Sequence, residues 1–250
     1  MTPFIVIGMP RTGSSLLANC IGQHPNARCF GELFHPVQHE RMVVHSIKVD
    51  GKPYGYDPAT HDAVEYLNKW VYRVWGLGIE AVGFKLFADY VQGPGSQRLF
   101  ARLHEEQPEI RYLHIKRQNY FEVLISKTMA EMTGEWQKNA ENSKRLTQAA
   151  SPRISIDLTK AKRFFTQVRD VDKFYESFFS DRQLLTVEYS DLNDSLQPTM
   201  GRVFDFLKLT RHTVSPKLEK QETKSPRQRV ENFAELDSHF SGSEFSKFFK

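Results

Sequence analysis

The residues best placed to do chemistry stand near the start of the chain, where Phe4-Ile5-Val6-Ile7-Gly8 runs into Pro10-Arg11-Thr12-Gly13-Ser14-Ser15. An apolar strand that turns tightly into a helix presents unsatisfied first-turn N–H groups and a partial positive charge to an anion. Gly13 lets the backbone approach that anion closely. The hydroxyls of Thr12, Ser14 and Ser15 add hydrogen bonds, and Arg11 adds a permanent charge in a planar fork. The pattern describes a cradle for a phosphate. An ordinary strand-to-helix turn is the plainer explanation of the same residues.

The cradle is similar to a Walker A loop without being one. Gly8 and Gly13 have the right separation, but Ser14 stands where the lysine belongs. No aspartate closes an apolar strand; the strand ends are Phe87, Lys116 and Tyr189. Magnesium-dependent triphosphate hydrolysis is therefore disfavoured. Cys20 and Cys29, the two cysteines, match no zinc spacing and suggest no disulfide framework. No metal site is expected.

The elements that must position these groups follow from the apolar pattern. Phe4–Gly8, Ala81–Phe87, Ile110–Ile115 and Leu184–Tyr189 are short, near-continuous apolar runs, with Ala27–Phe30 as a shorter fifth. Such runs suit parallel strands covered on both faces. Helical periods separate them at Gly13–Gly22, His61–Trp75, Ser96–Glu106, a long stretch from Asp157, and Leu196–Leu207. The expectation is an α/β protein, a three-layer α/β/α arrangement with a central, mostly parallel sheet of about five strands. Residues 35–60 and 134–152 are polar and lack this order, as binding loops do.

Composition narrows the class. The net charge of +4 over 250 residues suits a small anionic ligand and falls short of a dedicated nucleic-acid binder. The first apolar run is too short for a signal-peptide core, and no stretch approaches the roughly 20 apolar residues of a membrane span. A cytoplasmic protein with no stable membrane insertion is expected.

Pro10 to Ser15 resembles, position for position, the loop of the sulfotransferase superfamily that binds the 5′-phosphosulfate of 3′-phosphoadenosine 5′-phosphosulfate (PAPS). The family takes the donor's 3′-phosphate with an Arg at a later strand end and a Ser on the next helix. Here Arg117 and Ser126 are similar, with Arg117 one residue early, Gln118 in the usual place and Lys116 as the fallback. Lys224-Ser225 ahead of Asn232-Phe233 looks like the family's late basic segment, and Leu184–Leu192 with Phe204–Leu209 like its closing strand and helix. The resemblance implies one P-loop-like sulfotransferase domain over 1–250. Loop 35–60 would be mobile on the acceptor side, and a basic segment over 208–233 would close on the nucleotide.

It also implies a general base. Glu32, in Phe30-Gly31-Glu32-Leu33-Phe34, follows the short second strand on the side where ligands bind, and its apolar neighbours would shift it toward the working pH. A Glu exposed at a strand end is the plainer alternative. His35 is the second candidate base. Lys85, closing a buried strand, is a candidate for contacting the sulfonate or the acceptor. The implied activity is metal-independent transfer of a sulfonate from PAPS, leaving PAP, to a carbohydrate, glycolipid or other small-molecule hydroxyl. Tyr54, Tyr56, Trp70, Tyr72 and Trp75 are candidates for an acceptor platform. The alternatives are a P-loop-like nucleotide or adenylylsulfate kinase and a non-catalytic nucleotide-binding relative.

Overall fold

The chain's computed structural model describes residues 1–34, 47–49, 52–54, 56, 61–73, 75–87, 94–134, 153–215 and 225–250. The first apolar run forms β1 (Thr2–Gly8), with Phe4 to Ile7 wholly buried. It is followed by α1 (Ser14–Ile21) and β2 (Ala27–Cys29). A small antiparallel pair, β3 (Ile47–Val49) and β4 (Lys52–Tyr54), falls within the stretch expected to be loop. Then come α2 (Ala63–Tyr66), β5 (Ala81–Phe87), α3 (Pro94–Glu106) and β6 (Arg111–Lys116). The chain continues through α4 (Tyr120–Thr133), α5 (Leu158–Phe178), β7 (Leu184–Glu188), α6 (Tyr189–Asp194) and α7 (Leu196–Phe206). It ends with α8 (Pro226–Arg229), α9 (Phe233–Phe240) and a 3₁₀ turn at Ser246–Phe249.

The chain divides into two compact units, residues 1–116 with 174–215, and residues 117–173 with 216–250. The first contains a five-stranded sheet in the order β2-β5-β1-β6-β7, parallel at every pairing. β1 lies at its centre, with Gly8 opposite Phe87 on one side and Ile115 on the other. The chain leaves β1 toward β2 and β5 and crosses to β6 afterwards, so β1 ends at a topological switch point, where such sheets bind ligands.

Both sheet faces are covered, as the strand period requires. Leu113 and Ile115 join Leu17 and Ile21 of α1 and Met200, Val203 and Phe204 of α7 in one buried cluster. The alternate residues, Tyr112 and His114, face the other way, with ring centroids 4.1 Å from Phe179 and 5.1 Å from Tyr175. Phe100 of α3 meets Phe179 in the same layer, at 5.4 Å. The expected three-layer α/β/α arrangement is thus present.

One helix differs from expectation. The pattern over His61–Trp75 gives only one turn of α2, which widens into a π turn over Leu67–Val71 and stops. Trp75 Nε1 donates to the Val71 carbonyl at 2.7 Å, and Gly76 leaves with φ 104°, so the backbone ladder is closed by a side chain.

The second unit is built on phenylalanine. Phe165 of α5 has the rings of Phe240, Phe245 and Phe248 within 5.2–5.5 Å, and the Phe249 ring lies tilted 4.6 Å from Phe121 of α4. Ile154 pairs in parallel with Val230, and the Asn232 side chain bonds both backbone groups of Ile156.

Candidate functional site

The turn between β1 and α1 is built from two left-handed residues, Arg11 at φ 71° and Gly13 at φ 102°. A non-glycine residue there costs about 1–2 kcal/mol, a strain concentrated at functional turns, and such turns gather N–H groups into anion-binding nests. Thr12, buried between them, donates its hydroxyl to the Met9 carbonyl at 2.7 Å and so locks the turn. Gly13 carries no side-chain cap, and the Leu17 N–H makes the first helical bond to its carbonyl at 3.0 Å. A Cβ on Gly13 would lie 2.5 Å from Tyr189 Cδ2, so the ring after β7 presses on the cradle. On Gly8 it would lie 2.6 Å from the Ile115 carbonyl oxygen.

Glu32 is delivered to this cradle by backbone pairing that runs past the end of β2. Phe30 N–H bonds the Gly83 carbonyl at 2.8 Å, and Lys85 N–H bonds the Gly31 carbonyl at 3.1 Å. The next residue is Glu32, and its Oε1 meets Lys85 Nζ at 3.0 Å. The same ammonium donates to Ser15 Oγ, also at 3.0 Å. One lysine therefore ties the candidate base to the cradle. Leu33 is buried and Phe34 half-buried, and between the apolar side chains the carboxylate meets the Lys85 ammonium. Next to it, burial pushes the Cys29 thiol up to about 12, against the pull of the Lys85 charge.

An aromatic group gathers around Phe34, two residues after Glu32. Phe34 lies 4.5 Å from Tyr56 and 5.5 Å from Phe84, and Tyr56 lies 5.4 Å from Tyr66. Of the other platform candidates, Trp75 packs on Phe30 beneath Arg73, Trp70 lies under its neighbour Lys69, and burial raises the Tyr72 hydroxyl well above the phenol range. Only the backbone of Tyr54 is described.

In the second unit Arg117 directly follows β6, and its guanidinium pairs with Glu122 in the first turn of α4. Asn119 caps that helix: its Oδ1 accepts from the N–H groups of Phe121 at 3.0 Å and Glu122 at 3.2 Å. Ser126 lies on the same helix, half-buried. Lys116, the fallback, is held by Glu176 at 2.6 Å within the first unit, and this hydrogen bond keeps the Glu176 carboxyl below its ordinary range. His35 and Lys224 lie outside the described residues. Among the described residues, no three His, Cys, Asp or Glu side chains are grouped to hold a metal, and no helix is long and apolar enough to cross a membrane.

The family model "Sulfotransferase family" matches residues 3–213, most of the chain, including the cradle, Glu32, Lys85 and Arg117. The chain belongs to the sulfotransferase family. This sulfotransferase is 27% identical over 253 residues to Nodulation protein H of Rhizobium tropici, covering 99% of this chain and 93% of that one. It is 25% identical over 256 residues to Nodulation protein H of Rhizobium meliloti strain 1021, covering 99% and 95%. Its fold is shared with a sulfotransferase from Alicyclobacillus acidocaldarius, at TM-score 0.55 and 17% identity over 95% of this chain and 90% of the other. The sulfotransferase domain from the curacin biosynthetic pathway gives 0.50 and 14%, over 93% and 85%. The expected fold class and activity class of this sulfotransferase stand on these matches.

Sequence reasoning missed three parts of the site: the Tyr189 ring over Gly13, the Lys85 bridge to Ser15, and the Asn119 cap. The last had a local signal, since Asn three residues before Glu122 at a helix start is a capping pattern. The other two join residues far apart in the chain and carried none.

Proposed function

We propose that this sulfotransferase takes its sulfonate from PAPS and passes it to a hydroxyl of a carbohydrate, glycolipid or other small-molecule acceptor, releasing PAP. The observation that carries this reading is Lys85 Nζ, 3.0 Å from both Ser15 Oγ of the cradle and Glu32 Oε1. A group that binds the donor's 5′ end and a carboxylate able to take a proton are thereby held together. In this reading the acceptor oxygen forms a bond to sulfur while the bond from sulfur to the 5′-phosphate oxygen breaks. The electron pair stays on the phosphate, where Arg11 and the N–H groups about Gly13, Ser14 and Ser15 stabilise it. Glu32 takes the acceptor's proton, and His35 is the next candidate. Thr12 contributes by fixing the turn.

Arg117 and Ser126 are assigned to the 3′-phosphate, with Lys224 as a further donor contact, on the family resemblance. The proposal includes 1–250 acting as one functional unit in the cytoplasm, with no metal in the chemistry; a sulfonate carries less charge than a phosphoryl group. Isothermal titration with PAP is expected to show tight, magnesium-independent binding that Arg11→Ala weakens severely. Glu32→Gln is expected to keep nucleotide affinity and lose turnover. Binding of ATP with magnesium in place of PAP would overturn the donor assignment. Full turnover by Glu32→Gln would move the base elsewhere, with His35 first in line.

A further inference from the structure

The C-terminal turn of the second unit is fastened to the residues that follow Arg117. Asn119 Nδ2 donates to the Phe248 carbonyl at 3.2 Å, while Oδ1 of the same amide caps Phe121 and Glu122. Phe248 packs 4.7 Å from Tyr120, and Phe249 lies 4.6 Å from Phe121. Tyr120 in turn directs its hydroxyl at the buried Asp172 carboxylate, 3.3 Å away. The first turn of α4 is therefore held by the Ser246–Phe249 turn through one hydrogen bond and two ring contacts. That turn carries Glu122, whose carboxylate holds the Arg117 guanidinium, a side chain only 13% exposed.

We infer that Asn119 is a positioning residue for donor recognition, through which the turn Ser246–Phe249 fixes the Glu122–Arg117 pair for a nucleotide bearing a 3′-phosphate. The physical reasoning is one of rigidity. A guanidinium fork discriminates by planar geometry, and a fork whose partner rides on a fraying helix end loses that geometry. Asn119 serves both ends at once: its oxygen stops the fraying and its nitrogen attaches the helix end to a packed terminus. A cap needs only the oxygen. The nitrogen's bond to Phe248 goes beyond capping. The inference rests on Arg117 as the 3′-phosphate ligand.

The test compares titrations of PAP and adenosine 5′-monophosphate, which differ in the 3′-phosphate alone, on the full chain. Asn119→Ser keeps a capping oxygen and loses the bond to Phe248. It is expected to weaken PAP by about fivefold, the worth of one hydrogen bond, and to leave the monophosphate unchanged. Arg117→Ala is expected to erase the preference for PAP altogether. Removal of residues 246–250 is expected to act in the same direction as Asn119→Ser. An Asn119→Ser protein that keeps the full PAP preference, while Arg117→Ala loses it, overturns the inference and leaves the Arg117 assignment standing. An Arg117→Ala protein that keeps the preference overturns both. An equal loss for the two nucleotides would mark Asn119 as structural only and also overturn the inference.

Discussion

Replacing Lys85 by Met tests whether the tie between the cradle and the proposed base, Glu32, is as strained by loss of its cation as its burial implies. The Lys85 side chain is 6% exposed and that of Glu32 17%, so the pair is largely withdrawn from water. Removing one member of a fully buried pair costs about 3–5 kcal/mol, because the other charge is left without its partner. Water retains some access to Glu32, which brings the expected loss to about 2–3 kcal/mol, a large share of the stability of an ordinary domain. Met fills the space of the lysine stem, so a cavity adds little. Glu32→Gln in the same background removes the carboxylate charge, and the double variant is expected to recover about 1–2 kcal/mol relative to the sum of the single losses. Urea unfolding of the wild type, both single variants and the double variant closes the cycle. Additivity within about 0.5 kcal/mol would refute the coupling and, with it, the argument that Lys85 holds Glu32 in place.

Gly13→Ala would force a side chain into φ 102° with its Cβ 2.5 Å from the Tyr189 ring. Strain of about 1–2 kcal/mol, before any displacement of that ring, is expected to weaken PAP roughly tenfold or more in the same titration; unchanged affinity would remove the cradle from the donor site. A second expectation concerns pH. Burial raises Cys20 to about 11 and Cys29 to about 12 from the free thiol's 9.0. The unfolded chain thus releases these protons first, and stability falls as pH rises from 9 toward 12. Cys29→Ala is expected to flatten the decline in urea midpoint between about pH 8 and about pH 10, and an identical slope would contradict the assignment.

What was determined by sequence alone is what depends on neighbours along the chain. Phe4–Gly8, Ala81–Phe87 and Leu184–Glu188 are near-continuous apolar runs, so they read as parallel strands, and each lies within two residues of its expected bounds. Pro10 to Ser15 specified a tight strand-to-helix turn because its residues act over one helical turn. The pattern failed where a distant group closed the backbone. Trp75 ends the helix begun at Ala63, and β3 and β4 find each other in a stretch too polar to read as strands. Tertiary structure alone decided the rest. Lys85 comes 70 residues after Ser15 and 53 after Glu32. They meet because β5 pairs between β1 and β2, a choice of strand order that local periodicity does not encode. Tyr189 reaches Gly13, and Asn119 reaches Phe248, for the same reason: packing joins what the chain separates, and no residue's type reveals its partner in advance.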